Sequence, residues 1–307
     1  MLILGLFKEF FPLLALGYLI GRFKPGLSSL IAVPLINFGV PISLMGLLLK
    51  SGMDWHFFEA FLMALFAIGL LITLMRILPN MRSLFGSRCL LLGSVFGNSG
   101  YFGIPIALAL LPSEALSFSI GYDLGATLLV WAIGPIIFTS TSSEVLQKGT
   151  WGSLLNALTR SPATKGLLGA LLIRATPWSD QITSTLWIPS KIVIVLALMI
   201  IGIRLGSFSP PNHPNREGIC FDLQSSLLVK LLIFPALMLV LTKAFSLPIL
   251  MRDALVLQAA TPTAISVLLL AEVSGKEQQV AASLVASSTL AALITVPIWS
   301  LVLRVLF

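Results

Sequence analysis

The chain has 307 residues, of which 57% are apolar and 10% charged, with a net charge of +7. An average soluble domain carries roughly 25% charged residues, so there is too little polar material here to coat a water-facing surface, and lipid must be the solvent for most of the chain. The positive balance is not a nucleic-acid signature, because the 19 Lys and Arg residues stand singly between apolar runs, with no basic stripe interleaved with aromatics. Two cysteines, Cys89 and Cys220, exclude a disulfide framework, and His56 and His213 lie too far apart to suggest a zinc site. No metal or cofactor is expected.

A membrane-crossing helix needs about 20 apolar residues, and ten such runs follow one another. The first, 5–21, is interrupted by Lys8 and Glu9 and is followed by no small-residue cleavage pattern, so it reads as a retained helix. Spans 2 to 5 are expected at 27–49, 57–78, 88–111 and 116–138. Spans 6 to 10 follow at 162–175, 187–204, 224–244, 253–273 and 278–304. The two longest polar connections, 139–161 and 205–223, are too short for a folded domain. No glycine-rich phosphate loop ending in Gly-Lys-Ser or Gly-Lys-Thr occurs, which argues against ATP-driven transport.

The order of features is doubled. Pro12 to Arg22 in span 1 and Pro162 to Arg174 in span 6 both begin with Pro, contain Gly and end with Arg. Spans 4 and 9 both carry a mid-span Pro among small and polar residues, and spans 5 and 10 both end near a Pro, Pro135 and Pro297. Five spans per half is an odd number, so the second copy must run inverted, an arrangement typical of transporters. The expected fold is therefore an all-α membrane protein of ten helices in a five-plus-five inverted repeat, with helices 4 and 9 broken. Residues 1–140 form the first repeat, 141–161 a cytoplasmic connecting loop and 162–307 the second repeat. With both termini outside, 11 loop cations fall on the cytoplasmic side (Arg22, Lys24, Arg76, Arg82, Arg88, Lys148, Arg160, Lys165, Arg204, Arg216, Lys276). Seven fall outside (Lys8, Lys50, Arg174, Lys191, Lys243, Arg252, Arg304), so both termini are expected to be extracytoplasmic. The pairs Gly17/Gly21, Gly121/Gly125 and Gly202/Gly206 have the spacing that lets membrane helices pack closely, and need no further role.

The chemistry is expected at two interruptions. Gly97-Asn98-Ser99-Gly100-Tyr101-Phe102-Gly103-Ile104-Pro105 puts three glycines and a proline into the middle of span 4, and these are poor helix formers. Asn98 lies ten residues past Arg88, hence about 15 Å into the bilayer at 1.5 Å per residue. Its counterpart is Gln258-Ala259-Ala260-Thr261-Pro262-Thr263-Ala264-Ile265-Ser266 in span 9. A single Pro or Gly usually only kinks a membrane helix. Two interruptions at matching positions of an inverted pair point instead to half-helix N-termini converging at the midplane, a setting suited to an anion. The side chains of Asn98, Ser99, Gln258, Thr261 and Thr263 supply neutral hydrogen bonds there.

Among the charges within or at the ends of spans, Asp123, Lys230 and Glu272 bear on how transport is driven. Asp123, beside Tyr122 in span 5, is either a proton-coupling carboxylate or one near the outer interface bonded to Ser or Thr. Lys230 in span 8 is either a lysine that snorkels to the cytoplasmic face or one with a substrate role, and Glu272 at the end of span 9 is expected to be solvated. The coupling ion, H+ or Na+, is not readable.

The run Gly97 to Gly100 through Pro105 to Leu110 resembles the fourth-helix motif of the auxin efflux carrier family, which includes plant auxin exporters and bacterial malate and malonate permeases. Gly39-Val40-Pro41, Ala260-Thr261-Pro262, and Ala281 to Leu290 ending at Thr295-Val296-Pro297 are similar to further motifs of that family. The resemblance implies crossing broken helices, related to the bile acid:sodium symporter and sodium/proton antiporter folds, with one bundle carrying substrate past a scaffold. It implies small organic anions as substrates and maps the binding site onto Asn98 and the residues around Pro105 and Pro262. The long central hydrophilic loop of plant relatives is lacking, so auxin itself is not implied. The expected site is Asn98, Ser99, Gly100, Pro105, Gln258, Thr261, Pro262 and Thr263, with Asp123 as the candidate coupling residue.

The expected function is a secondary transporter or facilitator of small organic anions in the cell membrane, working by alternating access. The alternatives are a sodium-coupled symporter of the bile-acid type and a non-transporting metabolite or lipid sensor. An enzyme is not expected, since no nucleophile–base pair is visible. Expected partners are the organic anion, membrane lipid and a second copy of the chain; nucleic acid is not among them.

Overall fold

A computed structural model describes residues 2–24, 26–51, 55–78, 87–139, 159, 162–207 and 216–305. The expected connecting loop 141–161 falls almost wholly outside these residues, as does His213. The side chain of Glu272 is also outside the description.

Apart from one isolated bridge, the described residues are helical or in short turns. The first group is α1 (Leu2–Phe23), α2 (Leu27–Pro34), α3 (Val40–Ser51), α4 (Trp55–Ile77), α5 (Arg88–Val95), α6 (Ile104–Leu110) and α7 (Leu116–Thr139). The second is α8 (Pro162–Arg174), α9 (Ser179–Ser207), α10 (Arg216–Leu228), α11 (Phe234–Ala244), α12 (Ile249–Ala259), α13 (Ile265–Ser274) and α14 (Gln278–Val305). Four stretches are each long and apolar enough to cross a bilayer: Trp55–Ile77, Ser113–Phe138, Asp222–Ala244 and Gln278–Val305. Many large apolar side chains on these helices, including Phe58, Phe66, Val240, Ile294 and Ile298, are exposed, as lipid-facing residues should be.

Where span 7 was expected from residue 187, α9 begins at Ser179, because Asp180 and the polar residues after it suit a helix that extends past an apolar run. Spans 4 and 9 are interrupted, α5 from α6 and α12 from α13. Spans 2 and 8 each contain one widened π turn, Leu35–Gly39 and Val229–Ile233. A third, Ser99–Gly103, precedes α6. All three end just before an X-Pro pair: Val40-Pro41, Ile104-Pro105 and Phe234-Pro235. The proline ring lacks an N–H and crowds the carbonyl four residues back, and widening the preceding turn relieves that crowding. In span 8 the indole Nε1 of Trp299 donates to the carbonyl of Leu231 within the π turn, 2.9 Å away.

The glycine pairs lie where helices touch. Gly17 and Gly21 of α1 face the backbone of Met199, Gly202 and Ile203 of α9, while Gly206 faces Tyr18. Gly121 and Gly125 of α7 face the carbonyls of Phe57 and Phe61 on α4. Side chains at these points would hold the backbones apart. The main buried cluster joins α4 to α7 and α11 to α14, with Leu223 and Leu227 of α10 packed against it, and a second joins α3, α7 and α8. The interrupted segments therefore lie among helices rather than against lipid.

Candidate functional site

The breaks in spans 4 and 9 meet. Gly97 and Thr263 form an isolated antiparallel bridge, in which Asn98 N–H donates to the Pro262 carbonyl at 2.7 Å and Ala264 N–H to the Phe96 carbonyl at 2.9 Å. Pro262 has no N–H to place, and here only its carbonyl is needed. An unwound backbone in lipid costs several kcal/mol per unpaired group, and the two breaks remove much of that cost by pairing with each other.

Side chains satisfy other groups released by the breaks. The Thr263 hydroxyl donates to the Gly93 carbonyl at the end of α5, 2.9 Å away, and the Thr263 amide donates to Ser288 Oγ at 3.0 Å. The Thr261 hydroxyl donates to the Gln258 carbonyl at 2.7 Å. The Asn98 Oδ1 caps the second half of span 4 by accepting from Tyr101 N–H at 3.3 Å. Ser99 donates to the Asp123 carboxylate at 2.6 Å, and Gly100 turns its bare Cα toward the same carboxylate. Of the expected site residues, Asn98, Ser99, Thr261, Pro262 and Thr263 thus belong to one crossing, with Asp123 against it. Pro105 lies beyond the paired stretch, on α6 behind the π turn, where it shapes the helix start.

Asp123 is 5% exposed and its partner is Ser99, so it belongs to the crossing and not to an outer interface. Lys230 does not snorkel. This residue is fully buried, its ammonium donates to the Ala259 carbonyl at the end of α12, and it lies 5.0 Å from the Phe234 ring centre. The geometric reason is that the π turn directs it into the crossing beside Gly97, where a Cβ would stand 3.0 Å from the Lys230 Nζ.

Reading the sequence for N-termini alone overlooks the opposite half-helix ends. Where two helices break, two C-termini converge as well, with unpaired carbonyls and negative dipole ends. Lys230 supplies the matching cation. The signal is present in the sequence, since a lysine flanked by Val229 and Leu231 deep in an apolar run is costly unless it has a task.

Two features leave the crossing open to a ligand. The Gln258 side chain is fully buried beside Gly103, and neither its Oε1 nor its Nε2 has a hydrogen-bond partner. Buried polar groups without partners are rare and need an explanation. Every residue from Ala254 to Ala264 is buried, yet Ile265 and Ser266, the first turn of α13, are partly exposed. Gly100 and Tyr101 are likewise partly exposed, between buried Ser99 and buried Phe102. Both second halves thus open at their N-terminal turns.

Residues 30–300 match the family model described as membrane transport protein. Over 219 residues the chain is 23% identical to an uncharacterized transporter of Methanocaldococcus jannaschii, an alignment that covers 70% of this chain and 68% of that one. With its interrupted, mutually paired helices, the chain belongs to the membrane transport protein family, the auxin efflux carrier family that its motifs resemble, and is a multi-pass membrane transporter.

Proposed function

We propose that this transporter is a secondary carrier or facilitator for small organic anions, working by alternating access around the crossing of spans 4 and 9. The proposal includes ten membrane spans in a five-plus-five inverted repeat with both termini outside, and a substrate site formed by Asn98, Ser99, Gly100, Gln258, Thr261, Pro262 and Thr263, with Pro105 setting the helix start. The carboxylate of a substrate sits at the N-terminal turns of the two second halves, where main-chain N–H groups and positive dipole ends attract an anion. The buried Nζ of Lys230 adds hydrogen-bond donors to the same region, and the Gln258 carboxamide supplies donors and an acceptor.

The observation that carries this reading is the pattern of exposure. Within an otherwise buried crossing, the partly open positions are Gly97 in the bridge itself and the first turns Gly100–Tyr101 and Ile265–Ser266. Asp123 is the candidate coupling group: a carboxylate within reach of the site through Ser99 can take up a proton as the site reorganises. Proton coupling is therefore preferred to sodium coupling.

The test is uptake of labelled mono- and dicarboxylates by proteoliposomes containing the purified protein, guided by a thermal-shift screen of the same compounds with and without sodium. Uptake that follows an imposed pH gradient and survives replacement of sodium by potassium supports the proposal. Asn98→Ala and Pro262→Ala should each weaken transport while leaving membrane insertion intact, and normal uptake in both variants removes the proposed site.

A further inference from the structure

Lys50, in the last turn of α3, and Lys191 of α9 converge on one indole. Their Nζ atoms lie 3.7 and 4.7 Å from the centre of the Trp187 ring. Both lysines are exposed and Trp187 is half-buried, with its inner side against the cluster around α3 and α8. The contact is held from below by reciprocal hydrogen bonds between α3 and α9. Ser43 Oγ donates to the Ser190 carbonyl at 3.0 Å, and Ser190 Oγ to the Ser43 carbonyl at 3.2 Å. Gly46 keeps the two helices close at the same place, against Ser190 and Leu186. The two cations are thus positioned by rigid, packed helices and not by loose chain.

A cation over an aromatic face is favourable, but two on one ring repel each other. Among the described residues the ion pairs are His56 with Glu59 and Arg252 with Asp253, and neither involves these lysines. An anion within reach of both ammoniums offsets the repulsion and gains from both.

The surroundings indicate where that anion comes from. Trp55, at the start of α4, and Trp178, just before α9, are both strongly exposed at this same end of the helices. Arg174 in the last turn of α8 lies there too. Exposed tryptophans with Lys and Arg at helix ends mark the headgroup level of a bilayer. Below this ring α3 and α9 present apolar side chains outward, among them Ile42, Ile192 and Val195, which suit acyl chains.

We infer that Lys50, Trp187 and Lys191 form a binding site for the phosphate of an anionic phospholipid headgroup, separate from the crossing. The tryptophan holds the two ammoniums together, and the phosphate diester bridges them while its tails lie along α3 and α9. The site does not depend on which anion is transported.

The test uses the full-length protein in detergent, with melting temperature measured on addition of phosphatidylglycerol, phosphatidylcholine or glycerol phosphate. Phosphatidylglycerol should raise the melting temperature several degrees more than phosphatidylcholine does, and glycerol phosphate should give no comparable rise. The increment should vanish in the double variant Lys50→Gln/Lys191→Gln and shrink in Trp187→Leu. Equal shifts with the two lipids, or a phosphatidylglycerol increment retained in the double variant, overturns the site. A rise with glycerol phosphate equal to that with phosphatidylglycerol overturns the lipid assignment and leaves a free-anion site. Native mass spectrometry of bound lipid serves as the second readout should the double variant melt too early to compare. Retained phosphatidylglycerol adducts there count against the site.

Discussion

Lys230 and Ala259 are joined across the crossing: the lysine ammonium, buried within a π turn, donates to the carbonyl that ends the half-helix Ile249–Ala259. The relationship matters because a helix C-terminus at membrane depth has carbonyls that nothing in lipid can satisfy.

Replacing Lys230 by Met should separate transport from stability. The variant loses a charge-assisted hydrogen bond, worth about 1.5–3 kcal/mol, but it is also relieved of a buried charge, which offsets part of that loss. The expected result is a melting temperature changed by only a few degrees, with uptake reduced at least about tenfold, the equivalent of ~1.4 kcal/mol. Unchanged uptake would show that the ammonium only caps the helix.

A methyl group at Gly103 should harm both fold and function. An ideal Cβ there stands 2.8 Å from the Thr261 Cγ2 and 2.9 Å from the Gln258 Cδ. Gly103→Ala should therefore push the second half of span 4 away from the end of α12 and the break that follows it, at a cost of about 1–3 kcal/mol from overpacking. The control is Gly69→Ala in α4, where nothing lies within 4 Å of the added carbon. That change should leave uptake intact and raise stability by roughly 0.5–1 kcal/mol. Thermal melts of the two variants side by side check the contrast.

Glu277 gives a prediction about pH. Its carboxylate accepts from the Ser87 hydroxyl at 2.6 Å, Cys89 N–H at 3.0 Å and Arg88 N–H at 3.3 Å, so it caps α5 from the turn before α14. Burial pushes this carboxyl up, but the hydrogen bonds outweigh burial and hold it below the ordinary glutamate value of 4.5. A carboxyl whose value is depressed on folding stabilises the protein above its unfolded value and stops doing so as pH falls through the folded one. The melting temperatures of wild type and Glu277→Ala should thus differ near neutrality, by a capping loss of about 1–2 kcal/mol, and converge as pH falls below 4.5. Because Glu277 has φ +54°, Glu277→Gly should be less damaging than Glu277→Ala, since glycine adopts that conformation freely.

Asp123→Asn should keep an acceptor for Ser99 while removing the proton site. The expected outcome is normal assembly with uptake that no longer responds to an imposed pH gradient, measured in the same proteoliposomes. A gradient response equal to that of wild type would move proton coupling away from this residue.

Much of this was legible in composition and spacing. Lipid offers no hydrogen bonds, so a run such as Gly97 to Pro105 inside an apolar stretch can exist only where protein partners meet it. That rule, with the matching positions of the two interruptions, located the breaks in spans 4 and 9 and marked Asn98, Ser99, Thr261 and Thr263 as polar groups at depth. The partners themselves were not legible. Lys230 and Ala259 are 29 residues apart, Asp123 and Ser99 24, and Glu277 and Ser87 190. Which of them meet depends on how helix faces pack.

The π turns show the same division. They precede Pro41, Pro105 and Pro235, yet Pro12, Pro135, Pro189 and Pro297 lie inside helices that stay α-helical. A proline weakens its turn wherever it stands. In span 8 the released carbonyl of Leu231 is taken up by Trp299, a partner from another helix that only packing supplies. The sequence by itself determined the solvent and the places where the helices had to fail, because both follow from local chemistry. The tertiary structure alone decided which side chains answer those failures, because a hydrogen bond forms only between groups that packing brings within about 3 Å.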